Sequence, residues 1–151
     1  MIYTDKTEFL STINSKSKIL GLDVGTKTIG IAICDFTRTI ASPFKTIARK
    51  KFSTDVIELK KIIDENSISG LVIGIPIGMG GGESKMTQSI RQFARNLLKE
   101  FDIPILFWDE RFSTNAVERS LLDAEMSRQK RDEVIDKMAA SYILQGFLDS
   151  I

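Results

Sequence analysis

The chain has 151 residues, 42% hydrophobic and 27% charged, with a net charge of +1, so a single soluble domain spanning 1–151 is expected. It contains no histidine and one cysteine, Cys34, which excludes a Ser-His-Asp triad, a Cys-His pair, an internal disulfide and any histidine- or cysteine-built zinc site. No apolar run approaches the roughly 20 residues of a membrane span, and Met1–Ser17 lacks the apolar core of an export signal, so the expected setting is the reducing cytoplasm.

In chain order, residues 1–17 are expected as an N-terminal extension. It holds a short helix with Phe9, Leu10 and Ile13 apolar and Asp5 or Thr7 as its cap. Lys18–Val24 (KILGLDV) reads as a buried strand. Gly25-Thr26-Lys27 turns the chain, and Thr28–Cys34 (TIGIAIC) returns as the second half of a hairpin. A third strand is expected over Thr37–Ile47, with Pro43 placing it near a sheet edge. A helix capped by Ser53 follows, burying Val56, Leu59, Ile62 and Ile63. Leu71–Ile75 (LVIGI) is continuously apolar, as a strand covered on both faces must be. Gly78–Gly82, with four glycines in five residues, reads as a mobile loop. Met86, Ile90, Phe93, Ala94, Leu97 and Leu98 then mark one face of an amphipathic helix. Pro104–Trp108 (PILFW) is another buried strand. Ser113 or Thr114 is expected to cap a helix bearing Val117, Leu121 and Ala124, and a last helix spans about Asp132–Leu148. A three-strand meander followed by helix–strand–helix–strand implies an α/β fold: a mixed five-stranded sheet with helices on both faces.

Three carboxylates stand where apolar residues are expected. Asp23 closes KILGLD, and Glu110 closes PILFWDE, sharing a strand face with Leu106 and Trp108. Both therefore sit at carboxyl ends of strands, the edge at which open α/β sheets build their sites. Asp136 falls on the apolar side of the last helix, between Ile143 and Phe147 and beside Ala139 and Ala140; Lys137, Ser141, Gln145 and Asp149 mark the polar side. Any one such acid is more often an ion-pair partner or a cap. Three together repel one another, and Mg²⁺ or Mn²⁺, which prefer oxygen ligands, would relieve that repulsion. Two such ions assist phosphodiester displacement without any histidine.

The segments around these acids resemble known blocks. Asp23-Val-Gly-Thr-Lys-Thr-Ile-Gly-Ile-Ala, Gly74-Ile-Pro-Ile-Gly, Asp109-Glu-Arg-Phe-Ser-Thr and Asp136-Lys-Met-Ala-Ala-Ser-Tyr-Ile-Leu-Gln are similar, in order over roughly 18–149, to the four signature blocks of the YqgF (RuvX) family. These are ribonuclease H-like proteins related to the Holliday-junction resolvase RuvC. The resemblance implies a ribonuclease H-like fold and a nuclease maturing the 5′ end of precursor 16S ribosomal RNA, with branched DNA as the alternative substrate. It implies Asp23, Glu110 and Asp136 as the catalytic, metal-holding acids. Thr26, Lys27 and Thr28 would lie beside them, and Arg111 would brace the cluster or meet a phosphate. The chain departs from the family in the glycine loop, where Asn and Asp are common around Gly78-Met79-Gly80, and at Phe112, where leucine is usual.

Other signals weigh less. Asp23-Val-Gly-Thr also resembles the first phosphate loop of actin-like ATPases, but those need two sheet domains. Gly78–Gly82 lacks the Gly-Lys-Ser/Thr of a P-loop. Trp108, Phe107 and Phe112 could stack on bases, yet strand aromatics are more often core. A nucleic-acid-binding protein without catalysis is a further alternative. Substrate attraction is assigned to Arg49, Lys50 and Lys51 and to Arg128, Lys130 and Arg131, with Lys27 near the site; such clusters on their own are more often solvated faces. The chain is expected to work as a monomer, or as a homodimer if it cuts a junction symmetrically.

Overall fold

The structure, a computed structural model, describes residues 1–76, 84–110 and 128–151, with side chains of the last stretch from Asp136 onward. The expected helix at Ser113 or Thr114, the Gly78–Gly82 loop and Phe112 lie outside the described residues. The elements are β1 (Ile2–Tyr3), α1 (Lys6–Thr12), β2 (Lys18–Val24), β3 (Thr28–Cys34), β4 (Ala41–Ala48), α2 (Phe52–Glu65), β5 (Ile68–Ile75), α3 (Lys85–Glu100), β6 (Ile105–Asp109) and α4 (Arg128–Asp149). No described helix is long and apolar enough to cross a membrane.

The α/β class holds, but among the described residues the sheet has six strands rather than five, ordered β1-β6-β5-β2-β3-β4. The added strand is β1, which pairs parallel to β6 through Ile2 and Tyr3. Two residues are too few to show any periodicity. Of the first seventeen residues, Ile2–Tyr3 extend the sheet and α1 packs on it: Asp5 caps α1 by accepting the Glu8 N–H at 3.0 Å, and Phe9 is fully buried. β2 runs parallel to β5 and β5 to β6, whereas β2–β3 and β3–β4 are antiparallel. β4 is an edge strand, where Pro43 costs no internal ladder bond. It begins at Ala41 rather than Thr37, because the Asp35 carboxylate accepts from the Thr37 hydroxyl and the Thr39 and Ile40 N–H groups and holds 35–40 as a turn.

Strand alternation divides the core into two layers. Leu20, Leu22, Ile29, Ile31, Leu71, Ile73 and Ile105 face α2 and α3. Ile19, Ala32, Val72 and Leu106 face α1 and α4, against Phe9, Ala140, Ile143 and Phe147. Ser53 does not cap α2: the helix begins at Phe52 with no side-chain cap on Lys51, and the buried Asp55 reaches back to the Lys50 N–H at 3.0 Å. α3 is capped by Ser84, which accepts from the Thr87 N–H at 3.1 Å.

α4 starts earlier than expected, at Arg128, and its polar side is not uniformly wet. Ser141 is buried and donates to the Met138 carbonyl. Gln145 stitches the helix to the start of β4, accepting from the Ala41 N–H and donating to the Thr39 carbonyl, each at 2.9 Å. The helix can lie this close because the strands beneath it carry glycine. A Cβ on Gly21 would stand 2.6 Å from the Leu144 Cβ, one on Gly74 would strike Ile143, and one on Gly30 would collide with the Asp136 carbonyl.

Candidate active site

Asp23 follows Ile19 and Gly21 on the α4-facing side of β2, at the strand's carboxyl end. Its register partner on β3 is Gly30, the residue over which the Asp136 backbone lies. The close approach of α4 thereby brings the third acid beside the first. Asp136 is half-buried, and its Oδ2 accepts the Thr28 hydroxyl at 2.6 Å. Glu110 directly follows β6, whose Leu106 and Trp108 face the same layer, as period-2 spacing predicts. Gly74 leaves the room it needs, since a Cβ there would come within 3.1 Å of the Glu110 Cγ.

Because β2, β5 and β6 are parallel, their carboxyl ends share one edge of the sheet. A cleft of about 460 Å³ opens there. Asp23, Glu110 and Asp136 all line it, with Thr26, Lys27 and Thr28 along the β2–β3 turn and Pro76, Met86 and Ile90 opposite. Among the described residues no three acid, cysteine or histidine groups stand close enough to hold one ion jointly. The carboxylates share the cleft without closing on a point.

Of the expected site residues, the structure places Asp23, Thr26, Lys27, Glu110 and Asp136 in this one cleft. Arg111 lies outside the described residues, as do the side chains of Arg128, Lys130 and Arg131. Arg49, expected as a free cation for substrate, is otherwise engaged. Its Nη1 donates to the Gly25 carbonyl at 2.6 Å, its N–H donates to the Lys27 carbonyl at 2.9 Å, and its guanidinium lies 5.4 Å from the Phe93 ring centroid. It clamps the turn that carries Thr26 and Lys27. Met86, assigned by spacing to the buried stripe of α3, is 37% exposed and faces the cleft. Sequence reasoning had not singled out Thr28 as the partner of Asp136; a hydroxyl at a strand start gives no signal of what packs over it.

A family model described as RuvX, Holliday junction resolvase, matches residues 17–150. The chain belongs to the RuvX family. Two RuvX relatives carry the name "Putative pre-16S rRNA nuclease". One, from Paramagnetospirillum magneticum, is 52% identical over 143 residues, covering 95% of this chain and 92% of its own. The other, from Zymomonas mobilis, is 51% identical over 142 residues, covering 94% and 86%. Among solved structures, T. thermophilus RuvC in complex with a Holliday junction substrate superposes with a TM-score of 0.56 over 89% of this chain and 95% of that one, at 8% identity. That likeness is one of fold, and it bears out the ribonuclease H-like class.

Proposed function

We propose that this chain is a divalent-metal-dependent endonuclease that hydrolyses phosphodiester bonds of precursor 16S ribosomal RNA in the cytoplasm, with Asp23, Glu110 and Asp136 as its catalytic acids. The observation that carries this reading is the convergence of these acids, from two strand ends and a helix 26 residues further along the chain than Glu110, on one cleft. The names of the RuvX relatives supply the substrate.

The donor set fits Mg²⁺ or Mn²⁺, since it is all oxygen. No three of the described acids stand close enough to hold one ion jointly, so one or two of these carboxylates would hold it together with water and substrate phosphates, as is common for Mg²⁺. When bound, such ions supply Lewis-acid stabilisation of the displacement at phosphorus. The chain's own residues do the remainder. The Thr28 hydroxyl fixes one oxygen of Asp136 and so aims the carboxylate. Lys27, exposed at the cleft, offers a positive charge to the substrate backbone, and Arg49 holds the turn that presents it. With no histidine in the chain and no serine or cysteine motif with a paired base, hydrolysis without a covalent intermediate is the route these residues support.

The test is a cleavage assay with Mn²⁺ or Mg²⁺ on precursor 16S RNA and on a four-way DNA junction, side by side, followed by end-group analysis. Precursor RNA should be cut to a 5′ phosphate and a 3′ hydroxyl, and cleavage should survive 2′-deoxy substitution at the cleaved linkage. A 2′,3′-cyclic phosphate product would overturn the mechanism. Symmetric junction cutting with intact RNA would favour the second reading, a resolvase, which the RuvX description itself supports.

A further inference from the structure

Beside the cleft lies a second groove of about 390 Å³, between edge strand β4 and helix α4, lined by Thr28, Phe44, Lys45, Thr46, Ala48 and Lys137. Thr28 lines both, so the groove continues the cleft outward from Asp136. Its most unusual member is Phe44. Ile31 pairs with Lys45 and Ala32 with Pro43, so Phe44 is the extra residue of a bulge in β4. Bulges re-aim side chains and gather beside functional sites. Here the result is a phenylalanine ring 39% exposed on an edge strand, at the wall of a groove.

The charges of the groove are unequal. Lys45 is paired with Glu58 at 2.5 Å. Lys137 follows Asp136 directly, is half-buried, and has no carboxylate partner among the described residues. An aromatic face and one uncommitted cation, in a channel leading from a phosphodiester-cutting cleft, match single-stranded nucleic acid. Bases stack on exposed rings, and the backbone between them carries one negative charge per nucleotide.

We propose that the β4–α4 groove is a binding subsite for a single-stranded segment of the substrate flanking the cleaved linkage, Phe44 stacking on a base and Lys137 meeting a backbone phosphate. This rests on the nuclease reading above and adds to it a substrate conformation and a path. Duplex stacked end to end would leave the ring nothing to stack on, so the groove selects an unpaired flank.

The experiment measures fluorescence anisotropy of a labelled single-stranded RNA with full-length protein carrying Asp23→Asn, which keeps the strand intact. Adding Phe44→Leu should weaken binding about tenfold, the usual cost of removing one aromatic from a stacked base. Phe44→Tyr, which retains the ring, should restore the affinity. Lys137→Gln should lower the slope of log affinity against log salt by about 0.7, one phosphate contact on a single strand. Equal affinity of the Leu and Tyr variants, or an unchanged salt slope for Lys137→Gln, would overturn the subsite while leaving the nuclease reading standing. Failure of the Asp23→Asn parent to bind RNA or single-stranded DNA at all would overturn both.

Discussion

Gly30 lies directly beneath the backbone carbonyl of Asp136, with no room between them for a methyl group. Gly30 is also the register partner of Asp23, so the width of one missing side chain sets how close the first and third acids of the cleft can come. Gly30→Ala should therefore lift the start of α4 from the sheet. Overpacking against backbone, which cannot rotate aside, costs about 3 kcal/mol. A lowered melting temperature together with loss of cleavage in the folded fraction is the expected outcome; an alanine variant as stable and active as the parent would show that the contact is slack.

Thr28 and Asp136 make a second such pair, joined by a 2.6 Å hydrogen bond. Thr28→Val keeps the shape of the side chain and removes the donor. It should lower cleavage by roughly 10–100-fold, as loss of an orienting partner of a metal-binding group does, and stability by about 1–2 kcal/mol. Asp136→Asn should abolish cleavage while leaving the metal-free protein at least as stable, because it removes one charge from a cleft holding three. Severe destabilisation of that variant would mark Asp136 as a structural ion partner instead.

Divalent ions should stabilise the fold by mass action. At about 100 times the dissociation constant the gain is about 2.7 kcal/mol, several degrees in melting temperature for a chain of this size. Asp23→Asn should remove most of that shift. Thermal unfolding with and without millimolar Mn²⁺ measures it, and identical curves for the unmutated protein would count against the metal-holding role.

Arg49 clamps the β2–β3 turn through the Gly25 carbonyl and stacks near Phe93. Arg49→Ala should cost about 1 kcal/mol and speed amide hydrogen exchange at Lys27 and Thr28. KM for RNA should rise more than kcat falls, since Lys27 would lose its fixed position. Unaltered exchange in the turn would refute the clamp.

Asp35 gives a pH signature far from the cleft. The Thr37 hydroxyl, then the Thr39 and Ile40 N–H groups, hold its carboxyl at about 2 instead of 3.8. A depressed carboxylate contributes order above its unfolded pKa and loses it as the pH falls through the folded one. The β3–β4 turn should accordingly stay formed at pH 4 and loosen toward pH 2. A carbon-detected NMR titration of the Asp35 carboxyl reads this directly, and Thr37→Val should move the midpoint up toward the ordinary value.

What the sequence disclosed and what it hid divide along physical lines. Asp23, Glu110 and Asp136 were legible because a carboxylate that breaks an apolar pattern is costly to bury, so its position alone raises the question of a partner. The cap of α1 was legible as Asp5 or Thr7 because capping is local, and the structure selects Asp5. Hidden were the features made by chain crossing chain. Arg49 sits in a run of three cations that reads as solvated surface, and only the packed turn shows what it grips. Met86 fits the apolar period of α3, yet the stripe overshoots the core and reaches the cleft. β1 is too short for a pattern, and the β4 bulge shifts Phe44 by one residue, which no single-strand periodicity can register.

The dependence of the site on α4 also has a consequence in time. Translation delivers Asp23 first, Glu110 next and Asp136 last, and the sheet face that receives α4 is a glycine-floored furrow lined by Ile19, Val72 and Leu106. A nascent chain that has not yet released α4 carries two of its three acids and an uncovered apolar furrow. Docking of that helix buries the furrow and completes the cleft in the same event. The cleft proposed to cut phosphodiesters is thereby incomplete in any chain whose α4 has not yet docked.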